Sequence, residues 1–473
     1  MAKSNNEDEI VNEMASPGEP VELNKTALPP LRSRILSSGG VIMGGFGAGQ
    51  ILRLVSNLIL TRLLVPEAFG LMAVAVSVNI WAIMLTDIGI GASVIRSKNS
   101  DDPAFIRTAW TTGLLRNLLV WAIITIAAIA IYFLVAAQLV NADSIFANPV
   151  LPILMVAIGF QLPVGALGSM NAALAERKLV MGRVVSLEIA QQIFTMIVTI
   201  SFALAGLGVW ALVIGTIAGA AFSSVLSHFI YPGPTMKLQL VRRYFDEIFH
   251  FGKWLIIASF FGFILNRGDQ LFFGWIMNKD AFSLYAIAGI WMMAATTLIQ
   301  TVIGRVFMPA FSETLRDQPD DLAKLYRQAR LPLDFVVAAM AFGAYFLAEP
   351  VFALIYPDQY AGVGYYVKLL APALLLLPYR LINVATLASG DSKGFTAVTV
   401  VGGVAMVILM PLAAELAGDR AAILVYACIA VTTLPIVWKL GRKIMTLDWM
   451  IEGRLLVAMV LLVTLLAHNP APA

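Results

Sequence analysis

The chain has 473 residues, 59% of them apolar and only 13% charged, with a mean hydropathy of +0.84. A soluble domain carries about 25% charge, so this excludes a water-soluble globule and equally a cytosolic enzyme on a small anchor, because the apolar excess runs through nearly the whole length. The 32 Lys and Arg against 29 Asp and Glu (net +3) are too balanced to point to nucleic acid; the one cysteine, Cys428, excludes an internal disulfide framework, and His228, His250 and His468 are too scattered for a metal-ligand set.

Residues 1–34 are polar and mixed in charge, with Pro17, Pro20, Pro29 and Pro30. They read as a disordered tail without the apolar core of a signal peptide. From Val41 onward, apolar runs of about 20 residues recur, each able to cross about 30 Å of hydrocarbon as a helix. Helices satisfy their own backbone groups in lipid, so an all-α polytopic membrane protein is expected. Spans fall near 41–61, 70–95, 112–137, 150–172, 184–205, 208–230, 254–277, 283–305, 332–355, 366–389, 395–414 and 421–439, twelve in all. A shorter run, Leu455–Ala467, suits a thirteenth crossing, a tilted half-span or an interfacial helix.

Orientation follows from Lys and Arg in the loops. With the tail inside, alternate loops collect Arg96, Lys98 and Arg107, then Arg177 and Arg183, the 231–253 segment, the 305–330 segment, Lys393, and 439–454. The opposite loops hold only Arg62, Lys279 and Arg420. A cytoplasmic N-terminus is expected. The outside loops are short, near a dozen residues at 138–149 and 356–365, and carry no carboxylate pair or Ser/His set.

The stretch from Glu67 to Ala75 (EAFGLMAVA) recurs from Asp280 to Ala288 (DAFSLYAIA), a constant offset of 213 residues. Both copies lead from an outside loop into an even-numbered span. Six spans separate them, so the halves point the same way, as in transporters built from parallel repeats with a path between them. The expected division is a tail 1–34, a first six-helix lobe 35–230, a cytoplasmic linker 231–253, a second lobe 254–440 and an extra segment 441–473.

Residues Asn57 to Leu71 (NLILTRLLVPEAFGL) resemble the first-loop signature of bacterial polysaccharide and oligosaccharide flippases of the Wzx type, in the multidrug/oligosaccharidyl-lipid/polysaccharide exporter superfamily. Thr86 to Ile95 resembles their second-helix ending, and Asn266 to Gln270 with Gly274 the start of their second lobe. The resemblance covers about residues 35–440. It implies two lobes around a central cavity that passes a polyprenyl-diphosphate-linked oligosaccharide by alternating access across the bacterial inner membrane, for O-antigen, capsule or exopolysaccharide synthesis. The implied partners are that lipid-linked substrate, the bilayer, and glycan polymerase and chain-length machinery, with no nucleic acid. No cofactor or metal is implied, and the protein is expected not to be an enzyme.

An ionisable group at mid-bilayer costs at least about 2.5–3.5 kcal/mol and marks a function or a partner. Gln50, Arg53 and Asn57 recur at spacings of three and four, a polar stripe on span one. Arg267 and Asp269, with Asn266 and Gln270, occupy the matching part of span seven; Arg116 lies in span three, Arg380 in span ten, and Arg305 at the end of span eight. A diphosphate suits the donor fork of Arg, so Arg53, Arg267, Arg380 and Arg116, with Gln50 and Asn57, are the candidate cavity residues. Asp269, Asp87 and Glu188 are candidates for coupling to H⁺ or Na⁺. Lys368 is expected to snorkel to the outer interface. Pairs at Gly40/Gly44, Gly45/Gly49 and Gly215/Gly219 suit close helix packing. Two other readings compete: a drug or small-cation exporter of the same superfamily, which needs an acidic cavity, and a membrane polymerase or ligase, which needs a large outer loop.

Overall fold

The computed structural model describes residues 31–177, 180–252 and 255–468. Among them no β-strand forms, and a single isolated bridge joins Ser144 to Asn278. The first half contains α1 (Leu31–Leu63), α2 (Pro66–Leu85), α3 (Ile90–Arg96), α4 (Pro103–Ala136), α5 (Val150–Gly159), α6 (Gln161–Ala166), α7 (Asn171–Arg177), α8 (Met181–Leu204) and α9 (Val209–Ile230). The linker helix α10 (Arg242–Gly252) follows. The second half contains α11 (Leu255–Ile276), α12 (Lys279–Val302), α13 (Met308–Asp317), α14 (Leu322–Ile355), α15 (Val363–Leu370), α16 (Pro372–Leu375), α17 (Arg380–Ala388), α18 (Ser392–Cys428), α19 (Leu434–Ile444) and α20 (Trp449–His468).

Nine helical stretches among the described residues are long and apolar enough to cross a membrane, or ten if the bent pair Val150–Ala166 and Asn171–Arg177 is one crossing. The chain is therefore a multi-pass membrane protein, but this criterion does not return the expected twelve. Helices α1 and α11, each of which carries one of the expected spans, are not among these stretches. The stretch Lys393–Ile444 holds two expected spans at once, turned at Gly418 with φ 76° and ψ −177°. Residues 455–467 belong to α20, which has full crossing length.

Other boundaries shift for local reasons. The expected tail lies mostly in 1–30, outside the described residues, and α1 already starts at Leu31. Span two does not run to 95. It stops at Leu85, where the Thr86 hydroxyl donates back to the Ala82 and Ile83 carbonyls and Gly89 adopts φ 60° before α3 begins. The Asp87 carboxylate accepts from the Gly89 N–H at 3.0 Å and holds this turn. Span ten is broken at Pro372 and Pro378, whose missing N–H groups interrupt the helical ladder.

The repeat has a structural counterpart. Helix α1 ends at Leu63 and α11 at Ile276; α2 begins at Pro66 and α12 at Lys279. Each pair is separated by the offset of the sequence repeat. The two copies also touch: a Cβ on Gly70 would overlap the Ser283 Oγ, and Ser283 is the counterpart of Gly70. A residue meeting its own counterpart is what a two-fold relation between halves produces.

Small residues set the closest helix approaches. A Cβ on Gly215 or Gly219 would overlap the Thr199 or Thr195 hydroxyl oxygen of α8, and one on Gly45 would overlap Val185. Gly44 meets nothing within 4 Å. On the linker side, α10 is strapped to the base of the first half. Glu247 accepts from Ser97 (2.6 Å) and Asn99 (2.9 Å), and the Thr108 and Thr111 hydroxyls accept the Val241 and Gln239 N–H groups. Asp102 caps α4 and accepts from Tyr244, and these hydrogen bonds hold its carboxyl below the usual range.

In the second half, Arg330 is fully buried rather than part of a solvated basic loop. Its Nε lies 3.0 Å from Asp334, and its Nη1 lies 3.8 Å from Glu452 at the start of α20. Tyr326 donates to Glu452, Trp438 Nε1 donates to it at 3.1 Å, and the guanidinium lies over the Tyr379 ring at 4.4 Å. This cluster ties α20 to α14, α19 and the break in span ten. Lys368 is buried, and its Nζ pairs with Glu349 at 2.9 Å.

Removing one member of a buried ion cluster leaves an uncompensated charge, at a cost of about 3–5 kcal/mol. Glu452→Ala should therefore lower the melting temperature of the purified protein sharply and expose α20 to protease, while Glu452→Gln should lose less. Equal melting for the wild type and both variants would show that α20 is held by apolar packing alone.

Candidate functional site

A cavity of about 790 Å³ lies among α1, α2, α8, α11 and α12. A second of about 710 Å³ lies among α11, α12, α17 and α18. Arg267, Gln270, Gly289 and Met293 line both, so the two compartments meet at a partition carried by α11 and α12; the first compartment is lined by both halves and the second by the second half.

Helix geometry explains the polar side of the first compartment. Gln50, Arg53 and Asn57 share one face of α1, and all three line it. Arg53 is exposed to the cavity and, among the described residues, takes only Gln50 Oε1 as a hydrogen-bond partner, at 3.3 Å. Helix α8 presents a second stripe, Glu188, Gln191, Gln192, Thr195 and Thr199. Sequence reasoning named only Glu188 there. The signal for the rest was its spacing of three and four inside an apolar run, the same sign used for α1. Gln192 Nε2 donates to the Gly49 carbonyl at 2.8 Å and so joins the two stripes.

The second compartment holds Arg380 and Asp269. Arg380 is exposed to the cavity and forms no ion pair among the described residues. Asp269 is buried, and it accepts from Tyr285 at 2.6 Å and from Gln270 at 3.1 Å. Arg267, its near neighbour in sequence, forms no ion pair with it within 4 Å among the described residues, although the two charges are close enough to act on each other. Arg267 instead rests its Nη2 2.8 Å from the Met293 sulfur on the partition. The side chains of Asn266 and Arg305 lie outside the described residues.

Two candidates are not brought to either compartment. Arg116 donates from Nε to the Thr86 carbonyl (2.8 Å) and from Nη2 to the Ile83 carbonyl (2.7 Å), with Asp87 3.9 Å away. The guanidinium caps the end of α2, where the break leaves carbonyls without helical partners. Asp87 serves the same turn. Both are structural, because the break that ends span two at Leu85 creates acceptors for one and donors for the other.

Asn57 has a double position. Its side chain lines the first compartment, but its Oδ1 accepts from the Tyr356 hydroxyl at 2.6 Å, and Tyr356 accepts from Trp291 Nε1 at 2.7 Å. Tyr360 donates to the Leu64 carbonyl at 2.6 Å. Ser144 donates to the Gly274 carbonyl, and the Lys279 N–H donates to the Asp143 backbone carbonyl. These contacts join the two halves at the face that carries the loops with few cations. The chamber extends from the level of Gly45 and Phe395, nearer the basic face, to Asn57 and Phe69 beneath this seal.

The model of a family described as polysaccharide biosynthesis protein matches residues 59–364. The chain belongs to that family. No curated protein matches the sequence. Among solved structures, the fold is similar to that of the lipid II flippase MurJ in an inward closed conformation, with 13% identity, 92% of this chain and 94% of that one covered, and a TM-score of 0.66. It is also similar to an inward-facing multidrug resistance MATE family transporter of the MOP superfamily, at 14% identity, 89% and 99% coverage, and a TM-score of 0.62. A MOP superfamily transporter from Pyrococcus furiosus, whose binding pocket is described as of reverse polarity, matches at 15% identity, 89% and 96% coverage, and a TM-score of 0.53. At these identities the likeness shows the fold.

The seal yields a direct test. With Cys428→Ala as background, Gly70→Cys together with Ser283→Cys should cross-link under mild oxidation, since the two Cβ positions fall near the spacing a disulfide needs. Peptide mapping that finds no bridge between the halves would show that they do not meet at this pair.

Proposed function

We propose that this chain is a flippase that moves polyprenyl-diphosphate-linked oligosaccharide from the inner to the outer leaflet of the bacterial inner membrane, by alternating access and without covalent chemistry. The observation that carries the reading is the pair of adjoining compartments, which exposes Arg53, Arg267 and Arg380 with no carboxylate within ion-pair distance of any of them among the described residues. An unpaired guanidinium inside an apolar bundle is costly unless water or an anion meets it. A diphosphate is such an anion, and the Arg fork matches its oxygens.

The family match supports a role in polysaccharide synthesis, and the amide-rich wall suits sugar hydroxyls. The basic face is taken as cytoplasmic, by the loop-charge rule. The substrate then enters beside Gly45 and Phe395 and leaves once the Asn57–Tyr356 seal parts. Exporting an anion opposes an inside-negative potential, so coupling to H⁺ or Na⁺ belongs to this reading, with Glu188 and Asp269 as the carboxylates within the chamber. Asp87 drops out, since its carboxylate holds the turn after α2. The glycan polymerase and chain-length machinery are the partners that would receive the product.

Deleting the gene should leave lipid-linked glycan accumulating on the cytoplasmic side, scored by its protection from impermeant glycosidases. Arg267→Ala or Arg380→Ala should lower export about 10–100-fold, the range for losing one charged hydrogen-bond donor. The Gly70→Cys/Ser283→Cys bridge should stop export until it is reduced. Full export in an Arg267→Ala/Arg380→Ala double variant would remove the anion-binding role of the chamber.

A further inference from the structure

We propose that a hollow on the outer face of α19 binds the phosphate of an anionic phospholipid, taken from the leaflet at the basic face. The site lies apart from the chamber and does not depend on what the chamber carries.

Pro435, Trp438, Lys439, Arg442 and Lys443 wall a hollow of about 490 Å³. Their spacing of three and four puts them on one face of α19. Leu434, Val437, Leu440 and Gly441, on the opposite face, are buried. Three cations therefore share the hollow, and one carboxylate reaches it. Asp391 stands 3.9 Å from the Lys443 Nζ, and its other oxygen already accepts from the Gly394 N–H. Lys439 and Arg442 are exposed and form no ion pair among the described residues.

The walls are held in place by packing. The Trp438 Nε1 donates to Glu452 at 3.1 Å, and its ring meets the Trp449 ring edge-on, 5.4 Å between centroids. The Arg442 guanidinium lies over the Trp449 ring at 4.6 Å. Stacking of that kind occupies the flat face of the guanidinium and leaves the N–H groups at its edge for an acceptor.

Polarity along the helix selects the ligand. Pro435 and Lys443 lie about 12 Å apart along the axis, and α19 runs towards the basic face. Pro435 and Trp438 thus sit deeper in the bilayer than Arg442 and Lys443. The chain turns back at α20, where Trp449 and Met450 are exposed at the level that membrane-interface aromatics occupy. A phospholipid has the same order, with its phosphate outermost and its ester and acyl groups inward. A free phosphate would use only the cationic end. Basic pockets among membrane helices at such a face take anionic head groups. The bound lipid lies beside the Trp438–Glu452 bond that ties α19 to α20, so it should also stabilise that corner.

The test uses the purified full-length protein in a neutral detergent and three probes: phosphatidylglycerol, phosphatidylcholine with the same acyl chains, and inorganic phosphate. By native mass spectrometry, phosphatidylglycerol should be retained at least about tenfold more tightly than phosphatidylcholine, the combined pull of two cations at an anionic surface. It should also raise the melting temperature, and inorganic phosphate at the same concentration should not. Lys439→Gln, at an exposed and unpaired position, should lower the preference about fivefold, the share of one such cation, and keep the lipid-free melting temperature of the wild type. Lys439→Gln/Arg442→Gln/Lys443→Gln should abolish the preference. Arg242→Gln/Arg243→Gln/Lys324→Gln removes the same charge from other exposed positions of the basic face and should keep it. The proposal is overturned if phosphatidylcholine binds as tightly, if the α19 variants keep the preference, if both triple variants lose it alike, or if inorganic phosphate alone reproduces the stabilisation.

Discussion

A charged side chain inside hydrocarbon must be met by something, and the way each one is met organises this molecule. The cost of at least about 2.5–3.5 kcal/mol at mid-bilayer is large against the stability of any fold. Four solutions appear. Arg116 is met by the carbonyls of a broken helix end. Arg330 is met by two carboxylates and an aromatic ring. Lys368 is met by Glu349. Arg53, Arg267 and Arg380 are met by open volume. The first three solutions are closed and structural. The last is open, and only an open one leaves a cation available to a ligand.

Helix breakage belongs to the same economy of polar groups. Span two ends early at Thr86 and Asp87, and this early ending is why Arg116 has carbonyls to cap. Span ten breaks at Pro372 and Pro378 and resumes at Arg380. The break before Arg380 supplies the turn from which this residue projects into the chamber, and it places Tyr379 under the Arg330 guanidinium. One discontinuity thus serves the open site on one side and the closed cluster on the other. A straight helix would present neither arrangement.

Much of this was legible in the sequence because hydropathy and loop charge register membrane position directly. The all-helical class, the apolar stretches and the 213-residue offset all came from patterns that need no tertiary contact. The α1 stripe was legible for the same reason, since i, i+3 and i+4 spacing fixes a face. What was not legible was the partner of each charge. Nothing local distinguishes Arg116 from Arg380: both are single cations in apolar runs, and the difference lies in a turn thirty residues upstream for one and a proline break for the other. Arg330 looked like a loop cation although Asp334 follows it at i+4; its burial depends on Glu452, Tyr326 and Tyr379 closing around it, and Glu452 is more than a hundred residues away. The α8 stripe carried the same spacing as α1, but amides and threonines without a cation drew no notice beyond Glu188.

The seal shows how a cavity and a gate can share one side chain. Asn57 faces the chamber and also accepts the Tyr356 hydroxyl, which accepts in turn from Trp291. The Asn57–Tyr356 bond is one of four described hydrogen bonds that cross between the halves at this face, each contributing about 0.5–1.5 kcal/mol net. Coupling free energies between ligand and conformation are about 1–3 kcal/mol. A ligand that competes for the Asn57 amide therefore offsets a share of the seal of the same order as a typical coupling energy. A salt bridge there would resist opening more strongly, and purely apolar packing would give a bound glycan nothing to compete for. On the flippase reading, the neutral amide at position 57 is therefore the group through which filling the chamber is communicated to the seal.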